Sequence, residues 1–304
     1  MLVALAAALL LGAAPQSAAE TQVQDPVTSG PVRLEDVTVE GRRLEDTARD
    51  FVNEVAAPAR GRNIARWEGG ICVGVANLQA EAAQVIADRI SDVARDLGLK
   101  AGEPGCNPSV IIVATQDAAS FTPQFVDNRP PLFRVGGSGM DRGGTALRAF
   151  ETSDAPVRWW QVSVPVNSDT GRIAVRLPGE SPPINKIFAA SRLTTQIVDS
   201  LKRTFVIIDI DKVAGTNIHA LSDYLAMVTL AQIDPDGDTS GYSTILNLFD
   251  DPQGEQGLTT WDEAYLTGLY RATRTRLNPR SNAGEVASSI ARARRAMTDL
   301  DTDG

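Results

Sequence analysis

Between residues 79 and 97 the apolar positions recur at steps of three and four. Ala82, Val85, Ile86, Ile90, Val93, Ala94 and Leu97 fall on one side, while Glu81, Asp88, Arg89, Asp92, Arg95 and Asp96 mostly occupy the other. That spacing predicts an amphipathic helix, and Gly98 followed by Leu99 predicts a Schellman stop. Two β-branched runs flank it, residues 71–76 and 109–115. A strand, a helix and a second strand in this order make a βαβ unit, whose strands should be parallel neighbours. Upstream, Val37–Gly41 alternates like a short strand. Leu44 to Val55 then reads as a helix carrying Ala48, Phe51, Val52 and Val55 on one face, with Pro58 and Gly61 behind it.

Further along the pattern changes character. Residues 117–157 contain Pro123, Pro130, Pro131 and a glycine cluster from Gly136 to Gly144, which predicts a short helix and then a long surface loop or flap. Strand alternation resumes over Val157–Val164 and again over Ile173–Leu177, with Asn167, Ser168, Asp169 and Gly171 as the turn of a hairpin between them. Thr194–Arg203 reads as helix, and Phe205-Val206-Ile207-Ile208 as a strand buried on both faces. Asn217–Gln232 is an apolar-striped helix through Ile218, Leu221, Leu225 and Val228. Thr260-Trp261-Asp262-Glu263 reads as a capping box opening a helix to Tyr270. A last helix spans about residues 283–297. Together these elements predict an α+β (α/β-like) domain over residues 36–298. It has a mixed sheet of about five strands, helices packed on it and a C-terminal helical portion, followed by an acidic tail at 299–304.

The first nineteen residues carry a different kind of signal. Met1–Ala14 is an unbroken run of apolar and small residues, and Ser17 and Ala19 occupy the −3 and −1 positions of a cut after Ala19. This is the hydrophobic core and cleavage site of a secretory signal peptide, and the run is shorter than the roughly 20 residues needed to span a bilayer. The cationic residues that usually precede such a core are missing, which leaves the position of the true start codon open. Residues 20–35, polar and containing Pro and Gly, are expected to be a flexible N-terminus of the mature chain. The expected location is periplasmic or secreted.

Composition narrows the partners. A net charge of −9 disfavours nucleic acid and anionic lipid, both of which select basic surfaces. No later segment is long and apolar enough for stable membrane insertion after leader cleavage. The 43% hydrophobic and 22% charged content is that of a soluble folded protein. There are only two cysteines, Cys72 in the first strand-like run and Cys106 just before the second. The helix between them makes the two runs neighbours, so in an oxidising compartment a Cys72–Cys106 disulfide is expected; two free thiols are the alternative.

Candidate chemistry is thin. With one histidine, His219, and both cysteines engaged, no imidazole- or thiolate-rich metal site can be assembled, and no metal or cofactor is expected. His219 would also have to serve as the base of any serine triad, yet it falls in the first turn of a helix and no GxSxG elbow accompanies it. The 136–144 glycines match neither GxGxxG nor a Walker loop. Asp234, Asp236 and Asp238 stand like the first three ligands of a calcium loop. Thr239 and Ile245 then occupy the sixth and twelfth positions, where glycine and glutamate are required. Trp159 is the residue left for ligand contact. Trp160, Val162 and Val164 form the apolar strand face, leaving Trp159 beside Gln161 and Ser163. It is either a stacking platform or, as the favoured reading, a ring covered by the 117–157 loop. No spacing selects a catalytic residue among the 38 aspartates and glutamates.

Several segments resemble a family of uncharacterised exported proteins of Gram-negative bacteria. They are Val39-Glu40-Gly41-Arg42-Arg43, Arg66-Trp67 with Ile71-Cys72, Gly105-Cys106-Asn107-Pro108, Val157-Arg158-Trp159-Trp160, and the Leu221–Ala231 helix with Leu258-Thr259-Thr260-Trp261-Asp262. The resemblance implies no activity. A more distant one is to zincin-like metalloprotease domains, in which a βα-rich sheet precedes the active-site helix and a further helical part comes after it. It implies that Ser222-Asp223-Tyr224-Leu225-Ala226 stands in the HExxH frame and Gln232 at the third-ligand position, so that both histidines are lost and the zinc chemistry with them. The expected function is a non-catalytic exported domain binding a protein or cell-envelope component. The alternative is a carboxylate-based hydrolase with Trp159 near its substrate cleft.

Overall fold

The computed structural model describes residues 32–136, 139–185 and 192–302. The leader, its cleavage site and most of the 20–35 segment lie outside the described residues. The chain divides into two units between residues 39 and 40, and the second holds the sheet and the helices packed on it. That unit begins within helix α1 (Val32–Val55), whose backbone takes in the Val37–Gly41 stretch expected as strand. Five alternating residues are too few to outweigh the helical period that comes after them. Ala48, Phe51, Val52 and Val55 are buried, as that period requires.

The βαβ unit forms as expected, with one break. Strand β1 (Gly70–Ile71) and strand β2 (Val73–Ala76) are separated at Cys72. Helix α2 (Ala80–Asp96) comes next and ends in the Schellman arrangement, Gly98 N–H on Arg95 O and Leu99 N–H on Ala94 O, with Gly98 at φ +81°. Strand β3 (Lys100–Ala101) then pairs in parallel with β1, and strand β4 (Val110–Thr115) pairs in parallel with β2. The break at Cys72 is a change of partner. Its carbonyl accepts from Ser109 and Val110 N–H while its own N–H donates to Ser109 Oγ. Cys72 is joined there to Cys106, with Cα atoms 6.1 Å apart.

Residues 117–157 are largely helical, which corrects the expected long loop. Helix α3 (Ala118–Asn128) is capped by Asp117, whose carboxylate accepts from Ser120 N–H. The short helix α4 (Pro130–Phe133) and helix α5 (Gly144–Thr152) complete this layer. Strand β5 (Val157–Asn167) is antiparallel to strand β6 (Ile197–Asp209), and β6 is parallel to β4, so the main sheet runs β2-β4-β6-β5. The expected hairpin partner of β5, residues 173–177, makes only a bridge from Ile173 to Val166, and the helix expected over 194–203 is strand from Ile197. A register shift opposite Val162 and Ser163 puts an extra residue, Lys202, into β6. An inserted residue reverses the alternation of apolar and polar positions, which is why that stretch does not read as strand.

Both faces of the sheet are covered. Val110, Ile112, Ala114, Val157, Trp159, Val206 and Ile208 belong to the larger core. Val113, Trp160, Val162, Phe205 and Ile207 join Ala118, Val126, Phe133, Leu147 and Phe150 of the helices α3 to α5 in the second. The larger core is completed by helix α6 (Ile218–Leu230), a 3-10 turn (Ile245–Asn247), helix α7 (Thr260–Arg271) and helix α8 (Pro279–Thr302). α8 runs through most of the expected acidic tail. The capping box of α7 is built one residue earlier than expected: Thr259 accepts from Asp262 N–H while Asp262 accepts from Thr259 N–H. α7 and α8 meet at Gly268, where a Cβ would stand 2.5 Å from Ile290 N and 2.6 Å from Ile290 Cα. Backbone cannot yield as a side-chain tip can, so Gly268→Ala is expected to cost about 2–3 kcal/mol, measured by urea unfolding of the variant beside the parent.

Candidate functional site

The site is organised around α6, whose residues from Ala220 to Leu230 are all buried. A helix buried on all sides has no solvent to satisfy its last carbonyls, so partners must come from elsewhere in the fold. Gln161 Nε2 of β5 donates to Val228 O and Ala231 O at 2.9 and 2.6 Å. Trp67 Nε1 donates to Thr229 O at 2.8 Å, Tyr270 OH to Leu230 O at 2.8 Å and Trp159 Nε1 to Ile233 O at 2.9 Å. Gln232 receives Ala57 N–H on its carbonyl and Ala65 N–H on Oε1. The polar face of β5 thus fastens the sheet to the end of α6.

Four of the five residues in the HExxH-like frame, Ser222, Asp223, Leu225 and Ala226, are spent on packing and internal hydrogen bonds. Ser222 Oγ donates to Ile218 O at 2.7 Å, as mid-helix serines commonly do. Asp223 is paired with Arg89 of α2 and accepts from Leu258 N–H at 3.1 Å. Leu225 and Ala226 are wholly buried. His219 is exposed in the first turn of α6, where Asn217 caps its N–H. Among the described residues no three His, Cys, Asp or Glu side chains are grouped to hold a metal ion. In the calcium-like loop, Asp234 is paired with Arg142 at 2.8 Å and accepts from Asp236 N–H, while Asp238 accepts from the Ser240 N–H and hydroxyl.

Beside β5 lies a cleft of about 390 Å³. Its walls are Val157–Gln161, the α5 residues Ala146, Ala149 and Phe150, the loop Gln232–Gly237, and Leu246, Phe249 and Asp250. β5 is an edge strand, and alternate residues of an antiparallel strand point their N–H and C=O away from the partner. Pro156 O accepts from Asp209 N–H on the β6 side, whereas Ser163 N–H turns outward to Met140 O. Val157, Trp159 and Gln161 therefore share the outward parity of Ser163 and face the cleft. Their outward backbone groups have no partner among the described residues.

Trp159 is 8% exposed and lines this cleft. It is covered, as favoured, but by a different element. Tyr224 of α6 meets it edge-on at 6.2 Å and Ile233 binds its indole N–H. The 117–157 segment covers its neighbour instead: Trp160 Nε1 donates to Phe133 O and the ring packs near Phe150. The chain matches no family model, no curated protein and no solved structure. No described helix is long and apolar enough to cross a membrane.

Sequence reasoning places Tyr224 only within the HExxH-like frame and Gln161 only beside Trp159, assigns neither a role, and does not name Asp250. Gln161 carries a local signal as a polar residue inside an apolar strand run. Tyr224 sits in mid-helix, and Asp250 in a polar turn.

Proposed function

We propose that this chain is an exported, non-catalytic binding domain that receives an extended segment of a partner protein in the cleft along β5. It would belong with the exported family its motifs resemble, on a zincin-like frame that has lost its histidines. One observation carries the binding reading: the outward backbone groups of Val157, Trp159 and Gln161, without partners among the described residues, in a concave site. A free strand edge in a groove is the arrangement that strand addition uses, with backbone hydrogen bonds giving affinity and alternate side chains giving selectivity. Export is supported by the Cys72–Cys106 bridge, since such bonds persist in oxidising compartments. The hydrolase alternative would need two carboxylates held inside the cleft around a substrate. Asp141 and Asp234 are engaged with Arg134 and Arg142, Asp236 and Asp250 are exposed to solvent, and Asp262, whose pKa burial pushes up, closes the α7 cap elsewhere.

The test uses an extended peptide, acetyl-Val-Thr-Lys-Thr-Val-amide. It is expected to slow hydrogen exchange at the Val157, Trp159 and Gln161 amides, followed by NMR. A copy N-methylated at alternate amides should fail to bind. Equal binding by the methylated copy, or no protection at those amides, overturns the reading.

A further inference from the structure

One end of the cleft carries a hydroxyl that no described residue engages. Tyr224 is 6% exposed, its ring held edge-on between Trp159 at 6.2 Å and Phe249 at 5.0 Å. A buried phenol ordinarily finds a hydrogen-bond partner, as Tyr270 does on Leu230 O. The Tyr224 hydroxyl has none among the described residues, and the residue lines the cleft. Burial, and after it the nearby Asp250 carboxylate, pushes its pKa up, so it stays a neutral phenol that can both donate and accept.

The charges around it have one dominant sign. Asp141, Asp234, Asp236 and Asp250 line the cleft against Arg142 and Arg158. Arg142 is committed to Asp234, and Asp141 faces Arg134 at 3.6 Å and accepts from Gly143 N–H. Arg158 donates to Ala118 O through Nη1 and has Asp209 and Asp154 as its countercharges, while its buried Nε and Nη2 have no partner among the described residues. Asp236 and Asp250 remain, both exposed, with carboxylates that have no partner among the described residues.

We propose that the Tyr224–Asp250 end of the cleft recognises a cationic side chain, lysine or arginine, carried by the extended segment on β5. This rests on the strand-edge binding reading. The aromatic walls suit a cation and its methylene stem, the free phenol oxygen accepts an N–H, and the two carboxylates draw positive charge to the mouth. An anionic side chain would meet like charge there.

The test measures affinity by fluorescence polarisation with the labelled Val-Thr-Lys-Thr-Val peptide and copies carrying norleucine or glutamate in place of lysine. Norleucine is expected to weaken binding about tenfold, and glutamate further. The double variant Asp236→Asn/Asp250→Asn should weaken the lysine peptide about tenfold and leave the norleucine peptide unchanged. Tyr224→Phe should weaken the lysine peptide alone, about threefold. Both aspartates are exposed, so the double variant should keep the parent's melting temperature. Equal affinity for lysine and norleucine with amide protection intact overturns the cation site and spares the strand-edge reading; no binding by either peptide overturns both. Free n-butylamine binding as tightly as the lysine peptide would make the ligand a small amine and overturn the peptide assignment.

Discussion

Replacing Cys72 and Cys106 together by serine is expected to lower the unfolding free energy by about 3–4 kcal/mol, the loop-closure entropy of a cross-link of this span. The two residues are 34 apart in sequence, and the loop they close holds α2 and β3. The bridge fixes the point at which the chain leaves the small sheet for the main one, because Cys72 is the residue between β1 and β2. It also lies over Gly102, where a Cβ would stand 2.5 Å from Cys106 Sγ, so the turn is shaped around the sulfurs. The measurement is urea unfolding of the parent with and without reductant, beside the double variant. The reduced parent and the variant should unfold at the same, lower urea concentration. Identical midpoints for oxidised and reduced parent would show that the bridge contributes nothing. Intact mass after alkylation without reductant should show no added label.

Local and neighbouring signals were the ones that could be read. The βαβ unit, the Schellman stop at Gly98, the apolar α6 and the cysteine pairing each depend on spacing within one element or across one crossover. Three features were hidden for physical reasons. The start of β6 lost its period to the extra residue at Lys202. The helical layer over 118–152 was masked by its prolines and glycines, although a signal existed elsewhere. Phe205–Ile208 is apolar at every position, and a strand apolar on both faces needs a cover on each. Phe121, Phe125, Phe133 and Phe150 supply the second cover. The candidate site was least legible of all. Its cleft is assembled from α5, β5 and the turns after α6, and the groups that satisfy the end of α6 come from Trp67, Trp159, Gln161 and Tyr270, far apart in the chain. A tertiary carbonyl cap leaves no pattern in either partner's neighbourhood.

The second layer has its own test in Phe133→Ala, expected to cost about 3–5 kcal/mol. Phe133 is fully buried, stacked on Phe205 at 4.2 Å and edge-on to Phe125 at 5.3 Å. Its carbonyl takes the Trp160 indole N–H, so a shift of α4 would also strip a buried donor of its partner. Next to it, Leu132 is 37% exposed, and Leu132→Ala should stay within about 0.5 kcal/mol of the parent. Urea unfolding of the two variants separates a seated helix from a surface turn. Equal, small losses would mean that residues 130–133 lie loosely on the sheet, as the proline and glycine content alone would suggest. A loss confined to Phe133→Ala carries through to the cleft. Phe150 of α5 shares this core and lines the cleft beside Trp160. Loosening the layer should therefore move one wall of the peptide site while leaving Trp159 and its bond to Ile233 on the opposite face of the sheet in place.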